Sequence, residues 1–349
     1  MTIQIRRVYP LIRLTTALAL MTLGCSAMWA GAIVLEPIAN EFNTGRGNSS
    51  LIYGTFMIGF ALGGVFMGRL ADRMGIMIPA LIGSFALPAG FYLAAHASSI
   101  LQISLAFSLL CGFLGSSFSM APLIADISHW FSRRRGLAVG IAFSGSYVAG
   151  AIWPPILQRM FDAQGWRESF IDLALLTLIF MALLSLILYP KPTANKHLPN
   201  AGSANSNLTK SSISAGTLQG LICLAGFGCC VAMAMPQIHI VPYVMDLGHP
   251  AIRGAEMLGL MLGFGVISRI SSGWLSDRIG GLQTLLLGST LQLIVLIAFF
   301  AGNSLIFLYG ISIAFGLSQG GIVPSYTIIL RGFFPPGEAG WRISTSFLF

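Results

Sequence analysis

Ten runs of about twenty mostly apolar residues dominate this chain, and each is as long as an α-helix must be to cross a bilayer's hydrocarbon core. They lie near 14–35, 51–68, 76–96, 101–125, 136–156, 169–189, 216–236, 254–274, 282–301 and 304–330. Lipid cannot satisfy backbone N–H and C=O groups, so each run has to close its own hydrogen bonds as a helix. Gly63–Gly64, Gly145, Gly150 and Pro154–Pro155 fall inside runs. In water such residues break helices, but in a membrane small residues let neighbouring helices approach closely. Only 9% of the 349 residues are charged and 55% are hydrophobic, whereas soluble domains carry roughly a quarter charged residues. A surface so poor in charge has to be covered by lipid. The expected fold class is therefore all-α, a polytopic membrane helix bundle.

Orientation follows from the positive charges, which gather on the cytoplasmic side of membrane proteins. With the N-terminus in the cytoplasm and the chain alternating, fifteen of the nineteen Lys and Arg residues fall on that side or in the half-helices approaching it. Only Arg46, Arg159, Arg167 and Arg253 fall outside. The net charge of +8 thus reads as topology, not as a nucleic-acid surface, which would need basic residues clustered on one solvated face. The run Arg133–Arg135 anchors a cytoplasmic loop against anionic headgroups, worth about 1 kcal/mol per charge. The stretch from Lys191 to Gly216 is polar and rich in Ser and Asn, which is linker composition. Five cysteines all lie in apolar runs, with neither disulfide nor zinc spacing. No GxxxxGK[ST] phosphate loop and no hydrolytic constellation occurs in the sequence. An ATP-driven pump and an enzyme are both disfavoured, and no cofactor or metal is expected.

Charge is scarce, yet "GRLADRMG" (Gly68, Asp72, Arg73, Gly75) sits between the second and third runs, and "GWLSDRIG" (Gly273, Asp277, Arg278, Gly280) returns 205 positions later. Each octet follows the second span of its half. The same offset lays "HWFSRRRG", ending at Gly136, over "FPPGEAGW", ending at Trp341, each after a fourth span. A half-chain repeat split by a linker is a common transporter architecture. The expected parts are an N-terminal six-helix half over 1–190, a cytoplasmic linker over 191–215, and a C-terminal half over 216–349 with four helices and the start of a fifth.

The octets, with "WFSRRRGLAVGIAFSG" and "GWRESF", resemble those of the major facilitator superfamily. "PIANEF", "VPYVMDLG", "SRISSGWLSDRIGG" and "QGGIVPSY" are similar to its monocarboxylate and oxalate–formate transporter branch. The resemblance implies pseudo-symmetric halves and a secondary transporter that moves a small organic anion by alternating access in the plasma membrane, with a proton or a counter-anion as coupling partner. It also implies twelve helices, and ten are legible here. The stretch from Gly273 to Phe349 is shorter than that from Gly68 to Tyr189 by roughly 45 residues, the length of two membrane spans. The chain therefore reads as C-terminally truncated. The competing reading is a non-transporting remnant or a partner subunit of such a transporter. In the family, the first octet's aspartate latches against the start of the eleventh helix and the second faces the fifth. By that rule Asp72 must find its partner among the few residues before Phe349.

Arg269 is the most informative single residue. An arginine at the centre of a membrane helix costs roughly 2.5–3.5 kcal/mol, tolerated for an anion or a water-filled cavity, unless the side chain snorkels to the interface. In the resembling branch an arginine in this helix binds the substrate carboxylate, which suits the planar guanidinium fork. Tyr147 and Tyr326 are the further candidates for substrate contact, with Gln319, His239 and Tyr243 as other polar groups able to line a central cavity. The conceivable proton carriers, Glu36, Asp126, Asp172, Glu256 and His239, all lie near expected helix ends, where membrane-edge solvation explains most of them. Uniport, antiport and proton symport stay open.

Overall fold

A computed structural model describes residues 3–131, 134–189, 214–334 and 338–347. The expected linker, apart from Ser214 and Ala215, and Arg133 lie outside the described residues. Within them no strand occurs, and ten helices are long and apolar enough to cross a membrane. They are α1 (Val8–Ile33), α2 (Gly47–Met74), α3 (Met77–Ala95), α4 (Ile100–Trp130), α5 (Arg135–Gln164), α6 (Trp166–Ile187), α7 (Ala215–Asp246), α8 (Ile252–Ile279), α9 (Gly281–Ala301) and α10 (Leu305–Phe333). An eleventh, short helix, α11, follows at Ala339–Ser346. The fold is the all-α membrane bundle that the apolar runs require.

Helices begin where serines can cap them. Ser99, Ser214 and Ser304 are in extended conformation, and each side chain accepts a hydrogen bond from the backbone N–H three residues on. Those N–H groups would otherwise be unpaired. Pro236 and Pro242 do not end α7, so His239 and Tyr243, expected beyond the seventh span, lie inside it. Three spans are interrupted. In α1 the break is at Cys25, between Ile3–Gly24 and Ser26–Ile33. In α4 a π-helical stretch, Ala106–Ser116, passes into a 3-10 turn at Ser117–Ser119. In α10 the break is at Gly320–Gly321.

The chain divides into two compact units. The first comprises Met1–Trp130, Ile152–Ala194 and Pro335–Leu348, hence α1–α4, the later part of α5, α6 and α11. Its interior is aromatic. The ring of Phe170 on α6 lies 5.5 Å from that of Phe91 on α3, 5.7 Å from Phe107 on α4 and 5.9 Å from Phe161 on α5, all within the range of favourable ring contacts. Helices α2 and α4 cross so closely that a Cβ at Gly59 or Gly63 would fall 2.1 Å from a carbonyl oxygen of α4. The glycine-xxx-glycine spacing is what admits that crossing. The second unit comprises Phe131–Ala151 and Asn195–Phe334, with Phe349, hence the first part of α5 and α7–α10. Its core is Ile240 and Val244 of α7, Met257 and Met261 of α8, and Leu308, Ile311 and Phe315 of α10. Large apolar side chains such as Leu286, Leu293 and Ile297 of α9 are exposed, as lipid contact requires.

Candidate functional site

In the second unit, a buried cation lies where α8 meets the first part of α5. Arg269 is 3% exposed, so it does not snorkel to an interface. Its Nη1 donates to the Phe143 carbonyl and, at 2.7 Å, to Ser146 Oγ. The guanidinium carbon stands 3.6 Å from the centroid of the Tyr147 ring and 5.5 Å from that of Phe143, close enough for cation–π attraction. Small residues permit the approach: a Cβ at Gly140 would fall 2.3 Å from the Arg269 carbonyl oxygen. No carboxylate among the described residues forms an ion pair with Arg269. Its Nε and the Tyr147 hydroxyl have no hydrogen-bond partner among them either. A guanidinium held only by neutral groups, with donors to spare, is electrostatically incomplete, and a bidentate anion would complete it.

The structure thus brings Arg269 and Tyr147 together. Tyr326, on α10, is 5% exposed. Gln319, on the same span, accepts from Gln237 Nε2 at 2.8 Å. At one end of this unit Tyr243 donates to Asn303 Oδ1 at 3.0 Å, while Glu256 accepts from Tyr309 and from Arg253. His239, Glu36 and Asp172 are exposed, the last accepting from Gln164 at 2.6 Å.

The two octets have the same local geometry. Gly75 (φ 88°, ψ 161°) ends α2, and Gly280 (φ 90°, ψ 158°) ends α8. Both are in a conformation essentially confined to glycine. In the first unit, Asp72 accepts from the N–H groups of Gly340 and Trp341 at 2.9 and 3.0 Å. In the second, Asp277 accepts from those of Gly136 and Leu137 at 2.6 and 3.0 Å. Each carboxylate sits on the first turn of a helix, α11 or α5, where unpaired donors and the helix dipole favour an anion. The opening glycine of each octet makes room. A Cβ at Gly68 would fall 2.6 Å from the Gly340 oxygen, and one at Gly273 2.3 Å from the Gly136 oxygen. Asp72 therefore finds its partner in the short stretch before Phe349. The partners correspond at an offset of 204, not the 205 of the octets. The capping serines Ser99 and Ser304 still correspond at 205, and the slip falls beyond them, where α4 has 31 residues and α10 has 29. Arg73 is exposed, and Arg278 stacks 3.9 Å over the Trp274 ring.

Two polar clusters of the first unit escape sequence reasoning. Arg13, which the sequence presents only as a positive charge near the cytoplasm, is 1% exposed. It donates to both Asp126 oxygens at 2.7 and 2.9 Å, to the Tyr9 hydroxyl and to the Leu188 carbonyl. Membrane-edge solvation therefore does not explain Asp126, which is 7% exposed within α4. The available signal was one charge of each sign at the edge of an apolar run, Arg13 just before 14–35 and Asp126 just after 101–125. Arg167 donates to Glu41 at 2.6 and 3.0 Å and to the carbonyls of Ala95 and Ala97. Trp166 Nε1 donates to Glu41 at 2.6 Å. Burial works to raise the Glu41 carboxyl pKa, but these hydrogen bonds and the Arg167 charge overcome it and hold it below its ordinary value, since both favour the charged form.

The sequence profile of the Major Facilitator Superfamily matches residues 16–348. Among curated relatives, the chain is 26% identical over 269 residues to monocarboxylate transporter 13 of Bos taurus, covering 76% of this chain and 60% of that protein. It is 30% identical over 213 residues to monocarboxylate transporter 11 of Homo sapiens, covering 60% of this chain and 44% of the relative. It is 27% identical to the agnestins efflux protein AgnL12 of Paecilomyces divaricatus, covering 77% and 61%. The chain thus spans from under half to about three fifths of the length of these relatives. Solved structures share the fold. The xylose symporter XylE superposes with a TM-score of 0.74 at 13% identity, over 98% of this chain and 86% of the other. The E. coli fucose symporter FucP superposes at 0.68 and 17% identity, over 97% and 89%. Profile, relatives and fold agree, and the chain belongs to the Major Facilitator Superfamily.

Proposed function

We propose that this protein is a secondary carrier of a small organic anion of the monocarboxylate kind, working by alternating access in the plasma membrane with its N-terminus in the cytoplasm. One observation carries the reading: Arg269 is buried inside an apolar bundle with only neutral neighbours, so the site lacks the anion that would balance it. The carboxylate of the substrate supplies that charge. Tyr147 holds the guanidinium in place through its ring, and Tyr326 is a further contact on α10. That two of the relatives are named monocarboxylate transporters supports the substrate class, and the bias of Lys and Arg supports the orientation.

Asp72 and Asp277 act as latches, with Arg73 and Arg278 beside them. Each carboxylate's two hydrogen bonds to a helix start have to break as the carrier changes state. The test is uptake of lactate, pyruvate, formate and oxalate into proteoliposomes, with a pH gradient or an internal counter-anion applied in separate arms. Saturable uptake of at least one acid is expected, and the arm that accelerates it identifies the coupling partner. Uptake of none above protein-free vesicles would overturn the reading.

A further inference from the structure

We propose that Gln319, held by Gln237, reads a neutral oxygen on the transported anion, so that the site selects acids bearing a carbonyl or hydroxyl besides the carboxylate. The inference rests on the Arg269 reading and adds a second point of recognition to it.

Gln319 is the last residue of the Leu305–Gln319 segment, just before α10 is interrupted at Gly320–Gly321. It is fully buried. Gln237 donates to its Oε1 at 2.8 Å, which fixes the carboxamide, while its Nε2 has no partner among the described residues. Of the buried hydroxyls of this span, Ser312, Ser318 and Ser325 bond to carbonyls of their own helix, while Thr327 Oγ1, further along, has no partner among the described residues.

The placement is specific. Gly320 lies so close to α8 that a Cβ on it would fall 2.4 Å from the Gly265 oxygen and 3.0 Å from the Arg269 backbone nitrogen. Gly265 in turn leaves the space taken by the Tyr147 ring, whose nearest atom would stand 2.5 Å from a Cβ there. One turn of α8, Gly265 to Arg269, thus carries the Arg269 side chain and packs against the Tyr147 ring and against the backbone of Gly320, the residue after Gln319. Arg269 Nε, Tyr147 Oη and Gln319 Nε2 each lack a partner among the described residues. Arg269 Nε and Gln319 Nε2 can only donate and the Tyr147 hydroxyl can donate as well, so acceptors satisfy all three. Arg269 supplies the charge for a carboxylate. Gln319 is neutral and cannot balance a second one, so its natural partner is an uncharged oxygen.

The experiment compares propionate with pyruvate, which differ by that oxygen, as substrates in proteoliposomes. The wild type is expected to reach half-saturation at about tenfold lower pyruvate than propionate, the factor one buried hydrogen bond confers. Gln319→Leu is expected to bring the ratio below about threefold by weakening pyruvate alone. Should Gln319→Leu yield no folded protein, Gln237→Leu releases the carboxamide and is expected to lower the ratio at least about threefold. A wild-type ratio near one, or a variant that weakens both acids equally, overturns the role of Gln319 and leaves that of Arg269 standing. Propionate and pyruvate uptake that both survive Arg269→Ala overturns the two together.

Discussion

Arg13 and Asp126 show what a charge costs inside a bundle like this one and how the cost is met. Each would be prohibitive alone, yet the fork of Arg13 meets both carboxylate oxygens and its remaining donors reach Tyr9 and Leu188. Removing one partner of such a pair leaves the other charged and buried, typically a loss of about 3–5 kcal/mol. Asp126→Asn is expected to lower the unfolding temperature in detergent steeply, and the apolar double replacement Arg13→Met with Asp126→Leu to recover most of it. A double variant as unstable as the single would show that the pair does more than neutralise itself. Glu41 sits in wetter surroundings, its side chain 41% exposed, so its contribution is small, about 0–1 kcal/mol. Its folded pKa is depressed. The stabilisation is therefore complete above the unfolded value near 4.3 and is lost as pH falls through the lower folded value. The stability difference between wild type and Glu41→Gln should be flat above about pH 5 and close below about pH 4. Neither pair could be read from sequence, because a lone charged residue does not name a partner more than a hundred positions away.

At the scale of elements, legibility tracks how local the cause is. Span positions follow from length and apolarity alone, and all ten helices form where the runs lie. Where they break is harder to read, since the interruptions at Cys25, Ser117–Ser119 and Gly320–Gly321 depend on what crosses them. Gly24 illustrates this: a Cβ there would stand 2.6 Å from Ser119 Cβ and Oγ, so two interrupted helices of the first unit meet at their breaks. The octets are the best-read element because each residue has a separable task. The first glycine admits a neighbouring backbone, the aspartate takes two helix N–H groups, and the last glycine turns the chain with φ near +90°. Alanine at Gly280 is forced into a region costing about 1–3 kcal/mol, with a corresponding fall in unfolding temperature. Gly45 has φ −69°, and nothing lies within 4 Å of where its Cβ would stand, so it should accept alanine with little change. Equal effects at both positions would rule out the conformational explanation.

At the scale of the whole molecule, the repeat is the organising fact. Each octet occurs in one half of the sequence, and each aspartate takes its partner from the other, Asp72 from Gly340 and Trp341, Asp277 from Gly136 and Leu137. Because of this exchange the compact units differ from the sequence halves, and no composition shift announces it. Arg269 was legible as an exception, a charge where lipid forbids one. Its neighbours Phe143 and Ser146 were not, since nothing in the sequence says which turn of α5 faces α8. The proposed transport of an organic anion stands or falls with that arginine. The decisive measurement is carboxylate uptake by proteoliposomes holding equal amounts of folded wild type, Arg269→Lys and Arg269→Ala. Uptake should be abolished by alanine and only partly restored by lysine, which keeps the charge but loses the planar fork. Undiminished uptake by Arg269→Ala would contradict the assignment.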